Sequence, residues 1–222
     1  MKMALHRRQS RGRLRNLSKF IAAWRAQHLS AKRGSGGTFS ILTVCTGNIC
    51  RSPAVELLLA QELGPTVSVS SAGTHGLIGH PISEPMARLL RENGVQDETF
   101  AARRLTEKLV KGADLVLALT RAQRSLVVDL CPPAVRRTFT LREFARLLGQ
   151  LELSALPDGT PAERLRAALP LAGAERGLQR ISAEEDDVAD PFRLSDEVYA
   201  ASFAEITTAV NVIAATVLLN RP

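Results

Sequence analysis

From residue 39 onward the apolar positions switch between two periods. Phe39-Ser40-Ile41-Leu42-Thr43-Val44 is apolar and β-branched, the pattern of a buried strand. Val55, Leu58, Leu59 and Leu63 then recur at helical spacing, with polar Glu56, Gln61 and Glu62 on other faces. The alternation continues, predicting strands at 39–45, 66–71, 114–119 and 136–140 and helices at 53–63, 83–93, 105–111, 121–130, 141–150 and 195–219. Gly94 is a natural helix stop. The last helix takes Ser195 as N-cap and sets Val198, Phe203, Ile206, Val210, Ile213 and Val217 along one side. Such alternation predicts an α/β domain: a parallel twisted sheet with helices on both faces and right-handed crossovers. Ligands of such sheets bind beyond the carboxyl ends of the strands.

The junction between the first strand and the first helix carries the chemistry. It reads Val44-Cys45-Thr46-Gly47-Asn48-Ile49-Cys50-Arg51-Ser52-Pro53. Ser52 fits an N-cap and Pro53 the first helical position. A loop curled at a helix N-terminus turns several backbone N–H groups toward one point, which makes an anion site. The helix end and the Arg51 guanidinium both favour thiolate over thiol at Cys45. A thiolate is a strong nucleophile, and the guanidinium fork grips two phosphate oxygens. Gly47 lets the backbone approach closely, Asn48 tolerates positive φ, and the Ser52 hydroxyl can donate to sulfur. The spacing of Cys45 and Cys50 is not that of a zinc pair, and no cluster of His or Cys supplies further ligands.

Composition sharpens the division of the chain. The net charge is +7, but residues 1–36 hold ten Lys or Arg and no acid, which leaves nineteen basic against twenty-two acidic residues, about −3. Residues 1–37 read as a basic extension ending in a Gly/Ser linker, and 38–222 as the domain. Leu14, Leu17, Phe20, Ile21 and Trp24 recur at helical spacing among Arg and Lys. That stretch is either a solvated, disordered tail or an amphipathic helix that could touch an acidic membrane surface. No nucleic acid is expected for the domain itself. Three cysteines make no disulfide framework, and a working thiolate needs a reducing compartment, so a cytoplasmic protein is expected. No run of eighteen apolar residues and no secretory signal is read.

Several stretches, in one order, resemble the low-molecular-weight protein-tyrosine phosphatases. Val44 to Pro53 resembles their phosphate loop, Ser71-Ala72-Gly73-Thr74 the close of the second strand, Ala113 to Leu119 the third strand, and Asp190-Pro191-Phe192 the acid loop. The resemblance spans residues 38–219, interrupted by an insertion at about 149–187. It implies a four-stranded sheet with one cleft and no metal or organic cofactor. It assigns Cys45 as nucleophile, Arg51 and the loop from Thr46 through Gly47, Asn48, Ile49 and Cys50 to Ser52 as phosphate binders, and Asp190 as general acid and then base. Ser71, with Asn48 and Ser52, matches residues that brace the loop. A histidine often joins that brace where Phe100 stands here, so the brace is expected to be incomplete or completed by another group. Phe192 is either an aromatic wall of the cleft or a buried anchor of its loop. The opposite wall falls on 75–79, with His75 a surface residue and Leu77 and Ile78 where an aromatic is often found. The resemblance also implies a reversible Cys45–Cys50 disulfide under peroxide. The insertion reads as a solvated excursion that could hold a short helix at 162–169, or as a lid or docking surface beside the cleft. The implied partner is a phosphotyrosine protein, such as a bacterial tyrosine kinase. One alternative is a thiol-dependent arsenate reductase, which needs two further cysteines where this chain has only Cys131. Another is a non-catalytic phosphotyrosine binder, which the joint presence of Cys45, Arg51 and Asp190 argues against.

Overall fold

A computed structural model of the chain describes residues 37–97, 99–176 and 182–218. The basic extension, including its candidate amphipathic helix, lies outside them. Four parallel strands, β1 (Phe39–Cys45), β2 (Val67–Gly73), β3 (Leu115–Ala118) and β4 (Thr138–Thr140), form one sheet in the order β2-β1-β3-β4. The helices are α1 (Arg51–Leu63), α2 (Glu84–Glu92), α3 (Glu107–Lys111), α4 (Arg121–Leu130), α5 (Leu141–Gly149), α6 (Pro161–Glu175), α7 (Ala183–Asp186) and α8 (Asp196–Leu218). The strands and six of these helices fall where the periodicity places them. The central strands are apolar because both faces are covered: Ile41, Leu42, Val44, Leu115, Val116 and Leu117 are all buried.

The caps follow local chemistry. Thr106, Thr120, Thr140 and Thr160 each accept a backbone N–H from the first turn of the helix that follows, and Thr140 and Thr160 complete capping boxes with Glu143 and Glu163. The start of α1 differs from expectation. It begins at Arg51 with Cys50 at the N-cap position and no side-chain cap, so Ser52 sits inside the first turn. The loop amides that would otherwise need a cap are turned toward the anion site, and the Ser52 hydroxyl serves the cysteine instead.

Helix α8 is long and apolar enough, by length and composition alone, to cross a membrane. Here Tyr199, Phe203, Ile206, Val210, Ile213 and Val217 are buried, and α8 packs on α1 and α5 as a core helix of the domain.

The described part of the insertion is packed against the domain and is not a solvated excursion. It folds back as α6, longer than the short helix expected at 162–169, and α6 packs against β1, α5 and α8. Arg166 stacks 5.7 Å from the Phe39 ring, at the end of β1 opposite Cys45. Arg164 is fully buried and donates to the carbonyls of Pro157 at 2.8 Å and Thr216 at 3.0 Å. Arg176 lies 3.7 Å over the Phe139 ring and donates to Glu143 at 2.8 Å.

Candidate active site

The loop after β1 curls because its carbonyls have partners on the outside. Thr74, His75, Leu77 and Ser83 donate their backbone N–H groups to the carbonyls of Cys45 (2.9 Å), Thr46 (2.9 Å), Gly47 (3.0 Å) and Ile49 (2.7 Å). With the carbonyls held outward, amides of the loop are left to face the centre. Asn48 takes φ +57°, the left-handed bend that closes the curl. The clamping segment lies so close that only glycine fits at two positions. A Cβ at Gly73 would overlap the Thr46 carbonyl oxygen, and one at Gly76 would overlap that of Arg103. Gly76→Ala is expected to cost about 2–3 kcal/mol and lower the Tm by about 5–10 °C, read by calorimetry. An unchanged Tm would contradict this packing.

Cys45 is buried at the carboxyl end of β1. Its Sγ lies 3.0 Å from Ser52 Oγ and accepts the Asn48 N–H at 3.3 Å. The direction of the serine hydrogen can be derived. The Arg103 N–H donates to Asn48 Oδ1 at 2.8 Å and so orients that amide. Asn48 Nδ2 then donates to Ser52 Oγ at 3.0 Å and to Ser71 Oγ at 2.7 Å. Each serine oxygen receives a hydrogen and has its own to give. Ser52 gives its hydrogen to the Cys45 sulfur, and Ser71 gives its own to Glu56 Oε2 at 2.5 Å. The sulfur therefore accepts two hydrogen bonds.

This chain of bonds decides between the two expectations attached to Phe100: other groups complete the brace. The brace is closed by Glu56 and Arg103. Arg103 Nε donates to the Ser71 carbonyl at 2.6 Å, and its charge lies near Glu56. Burial raises the Glu56 carboxyl above its ordinary range, against the lowering effect of its hydrogen bond from Ser71 and of Arg103. Glu56, placed on a polar face by periodicity, is thus part of the site. Its position one helical turn after Ser52 is the signal that could have found it. Gln123 was also missed. It accepts the Leu119 N–H at 3.1 Å and donates to Thr46 Oγ1 at 3.1 Å, which fixes the second residue of the loop.

Arg51 is 3% exposed. It donates through Nη1 to the Val188 carbonyl at 3.1 Å and through Nη2 to Asp190 Oδ2. Its Nε is buried with no hydrogen-bond partner among the described residues. A phosphate oxygen would supply one. Asp190, 139 residues away in sequence, is brought onto the nucleophile's arginine by the segment before α8. Its other oxygen accepts the Phe192 N–H at 3.2 Å.

Together these groups line a cavity of about 190 Å³: Cys45, Thr46, Gly47, Ile49, Cys50 and Arg51 at the base, His75 and Leu77 on one side, Asp190 and Phe192 on the other. Phe192 is 42% exposed, so it is a wall and not a buried anchor. Leu77 and Ile78 are exposed where an aromatic was sought. His75 is exposed and its Nδ1 meets Thr74 Oγ1 at 3.2 Å. Cys50 Sγ lies 3.7 Å from Tyr199 Oη, which lies 3.0 Å from Ser83 Oγ. Burial pushes the Cys50 thiol up to about 11, so it stays neutral beside Cys45. A larger cavity of about 640 Å³ lies between α5 and α8, and its lining includes no cysteine, serine or histidine. No cluster of three or more potential metal ligands occurs among the described residues.

Comparison with known proteins agrees with this geometry. Residues 40–159 match the family described as low molecular weight phosphotyrosine protein phosphatase. The low molecular weight protein-tyrosine-phosphatase Etp of Escherichia coli is 42% identical over 120 residues, 54% of this chain and 76% of that protein. The YwlE arginine phosphatase of Geobacillus stearothermophilus has a solved structure that is 30% identical, with a TM-score of 0.59 over 79% of this chain and 90% of that one. Vibrio vulnificus Wzb, solved in complex with benzylphosphonate, is 26% identical, with a TM-score of 0.58 over 80% of this chain and 98% of that one.

Proposed function

The chain belongs to the low molecular weight phosphotyrosine protein phosphatase family, and on that premise we propose which of its residues carry the reaction and which phosphorylated side chain it accepts. It is a cysteine-dependent protein-tyrosine phosphatase acting on phosphoproteins. The observation that carries the assignment of roles is the convergence of Cys45, Arg51 and Asp190 on one small cavity at the end of β1.

The thiolate of Cys45 attacks phosphorus in line with the leaving oxygen. The S–P bond forms as the P–O bond breaks, and the electron pair moves to the phenol oxygen, which takes a proton from Asp190. Incoming phosphate dianion replaces Asp190 as the partner of Arg51 Nη2 and supplies an acceptor for Nε. The loop amides and Arg51 hold the equatorial oxygens while charge develops on them. Ser52 donates to sulfur as it leaves in the second step. There water attacks phosphorus, the S–P pair returns to Cys45, and the water's proton goes to Asp190.

The walls favour an aryl phosphate. Ile49, Leu77 and Phe192 offer apolar surface to a phenyl ring, and relatives include a protein solved with benzylphosphonate. A phosphoarginine would bring a guanidinium whose N–H groups need acceptors, and among the cavity's lining residues Asp190 is the one carboxylate. That comparison matters because an arginine phosphatase is among the relatives. Matched peptides test it. The kcat/KM for the phosphotyrosyl peptide should exceed that for the phosphoarginyl peptide by at least about 100-fold. The reverse preference would overturn the substrate reading. The partner class proposed is a bacterial tyrosine kinase or another phosphotyrosine protein, and the need for a reduced Cys45 supports a cytoplasmic setting.

A further inference from the structure

The inserted segment ends three residues before Asp190, and its last helical residue, Asp186, is a buried charge. Asp186 is 2% exposed. Arg121 at the start of α4 donates to its Oδ2 through Nη2 at 2.6 Å and Nε at 3.0 Å, and Arg146 on α5 donates to its Oδ1 at 3.0 Å. A carboxylate so buried persists because both of its oxygens are met by cations, and removing one side leaves an uncompensated charge. The three groups form a latch across two helices of the domain and the end of the insertion.

What the latch holds is the acid loop. Next along the chain, Asp187 Oδ1 accepts the Arg121 N–H at 2.7 Å, and the Asp187 carbonyl accepts from Arg142 at 2.7 Å. The Val188 N–H then donates to the Leu119 carbonyl at 2.8 Å, and the Val188 carbonyl accepts from Arg51 at 3.1 Å. Ser202 Oγ donates to the Ala189 carbonyl at 3.0 Å. Each residue from Asp186 to Ala189 is thus fastened to the body, and Asp190 is the first whose side chain enters the cavity. Upstream, Arg142 also donates to the Glu184 carbonyl at 3.2 Å, and Asp186 is the first side chain of this run held by two arginines.

We propose that Asp186, through Arg121 and Arg146, is a positioning residue that sets the reach of Asp190 to the leaving-group oxygen. The insertion then serves catalysis as an anchor for the acid loop. This rests on the assignment of Asp190 as general acid. An error of about 1 Å in the position of a proton donor is enough to cost a large factor in rate.

The test uses the full chain and its Asp186→Asn variant with aryl phosphates of graded leaving-group acidity. The measured quantity is kcat/KM, which reports the first chemical step. Phenyl phosphate, whose leaving oxygen needs a proton, should lose at least about 10-fold. 2,4-Dinitrophenyl phosphate, whose leaving group needs none, should stay within about 2-fold, and inhibition by inorganic phosphate should be unchanged. In the Asp190→Asn background, Asp186→Asn should have little further effect on phenyl phosphate, because the two act as one unit. Equal losses on both substrates, additive losses in the double variant, or no loss at all would overturn the proposal. If Asp186→Asn does not fold, Arg146→Gln removes one arm of the latch and should show the same leaving-group signature, and its absence there also overturns the proposal. If Asp190→Asn itself shows no leaving-group dependence, the assignment of the acid has failed and the latch is not at issue.

Discussion

Cys45→Ser is expected to lower kcat for an aryl phosphate by at least about 10⁴-fold while phosphate binding stays within a few-fold of the parent. The split between the two readouts follows from the site. The sulfur accepts from Ser52 at 3.0 Å and from the Asn48 N–H at 3.3 Å. A serine hydroxyl in the same place remains neutral at working pH, and the carboxylate lining the cavity, Asp190, is engaged with Arg51. The groups that bind phosphate, the loop amides and Arg51, are untouched by the change. Steady-state assay and titration with inorganic phosphate check both halves. Loss of binding together with turnover would mean that the variant has lost the loop, and retained turnover would remove Cys45 from the chemistry.

Asp190→Asn should reduce kcat/KM for phenyl phosphate by about 10²- to 10⁴-fold and that for 2,4-dinitrophenyl phosphate far less. Asparagine keeps the shape of the side chain and can neither give nor take the proton. A second consequence follows at Arg51. The buried guanidinium loses its one carboxylate contact among the described residues, so the empty site holds a less balanced charge and phosphate should bind at least as tightly as before. Loss of activity with weaker phosphate binding would contradict the separation of roles. A uniform loss across leaving groups would mean that Asp190 is not the proton donor.

Much of this was legible in the chain because it is local. The strand, the loop and the first helix occupy one contiguous stretch, and the periods of their apolar residues mark them without any partner. Asn48 illustrates the point: its residue type tolerates positive φ, and it stands at +57°. Asp190 was reachable through the resemblance and not through physics, since one loop aspartate looks like another until the fold closes. The matched family segment itself ends at residue 159, short of that residue. What stayed hidden is long-range and polar. Glu56 meets Ser71 across 15 positions, Arg103 meets Asn48 across 55, and Arg121 meets Asp186 across 65. Nothing in a helical period distinguishes a glutamate facing water from one closing a buried network. The same limit explains Phe100. An absent histidine left open whether the brace was weakened or completed by another group, and the sequence could not say that an arginine three residues later would hold the amide in its place. The insertion was misread for a related reason. Its buried surface is built partly from Arg164 and Asp186, charged residues whose burial depends on distant carbonyls and arginines.

The central claim is that phosphate passes through a covalent bond to one sulfur. Rapid acid quench of Asp190→Asn turning over 2,4-dinitrophenyl phosphate tests it most directly, because the first step needs no acid there and the second is slowed. Mass spectrometry should then find one phosphoryl group on the peptide carrying Cys45, in the same amount as the burst of phenol. A burst with no adduct, or an adduct on any other residue, would contradict the account.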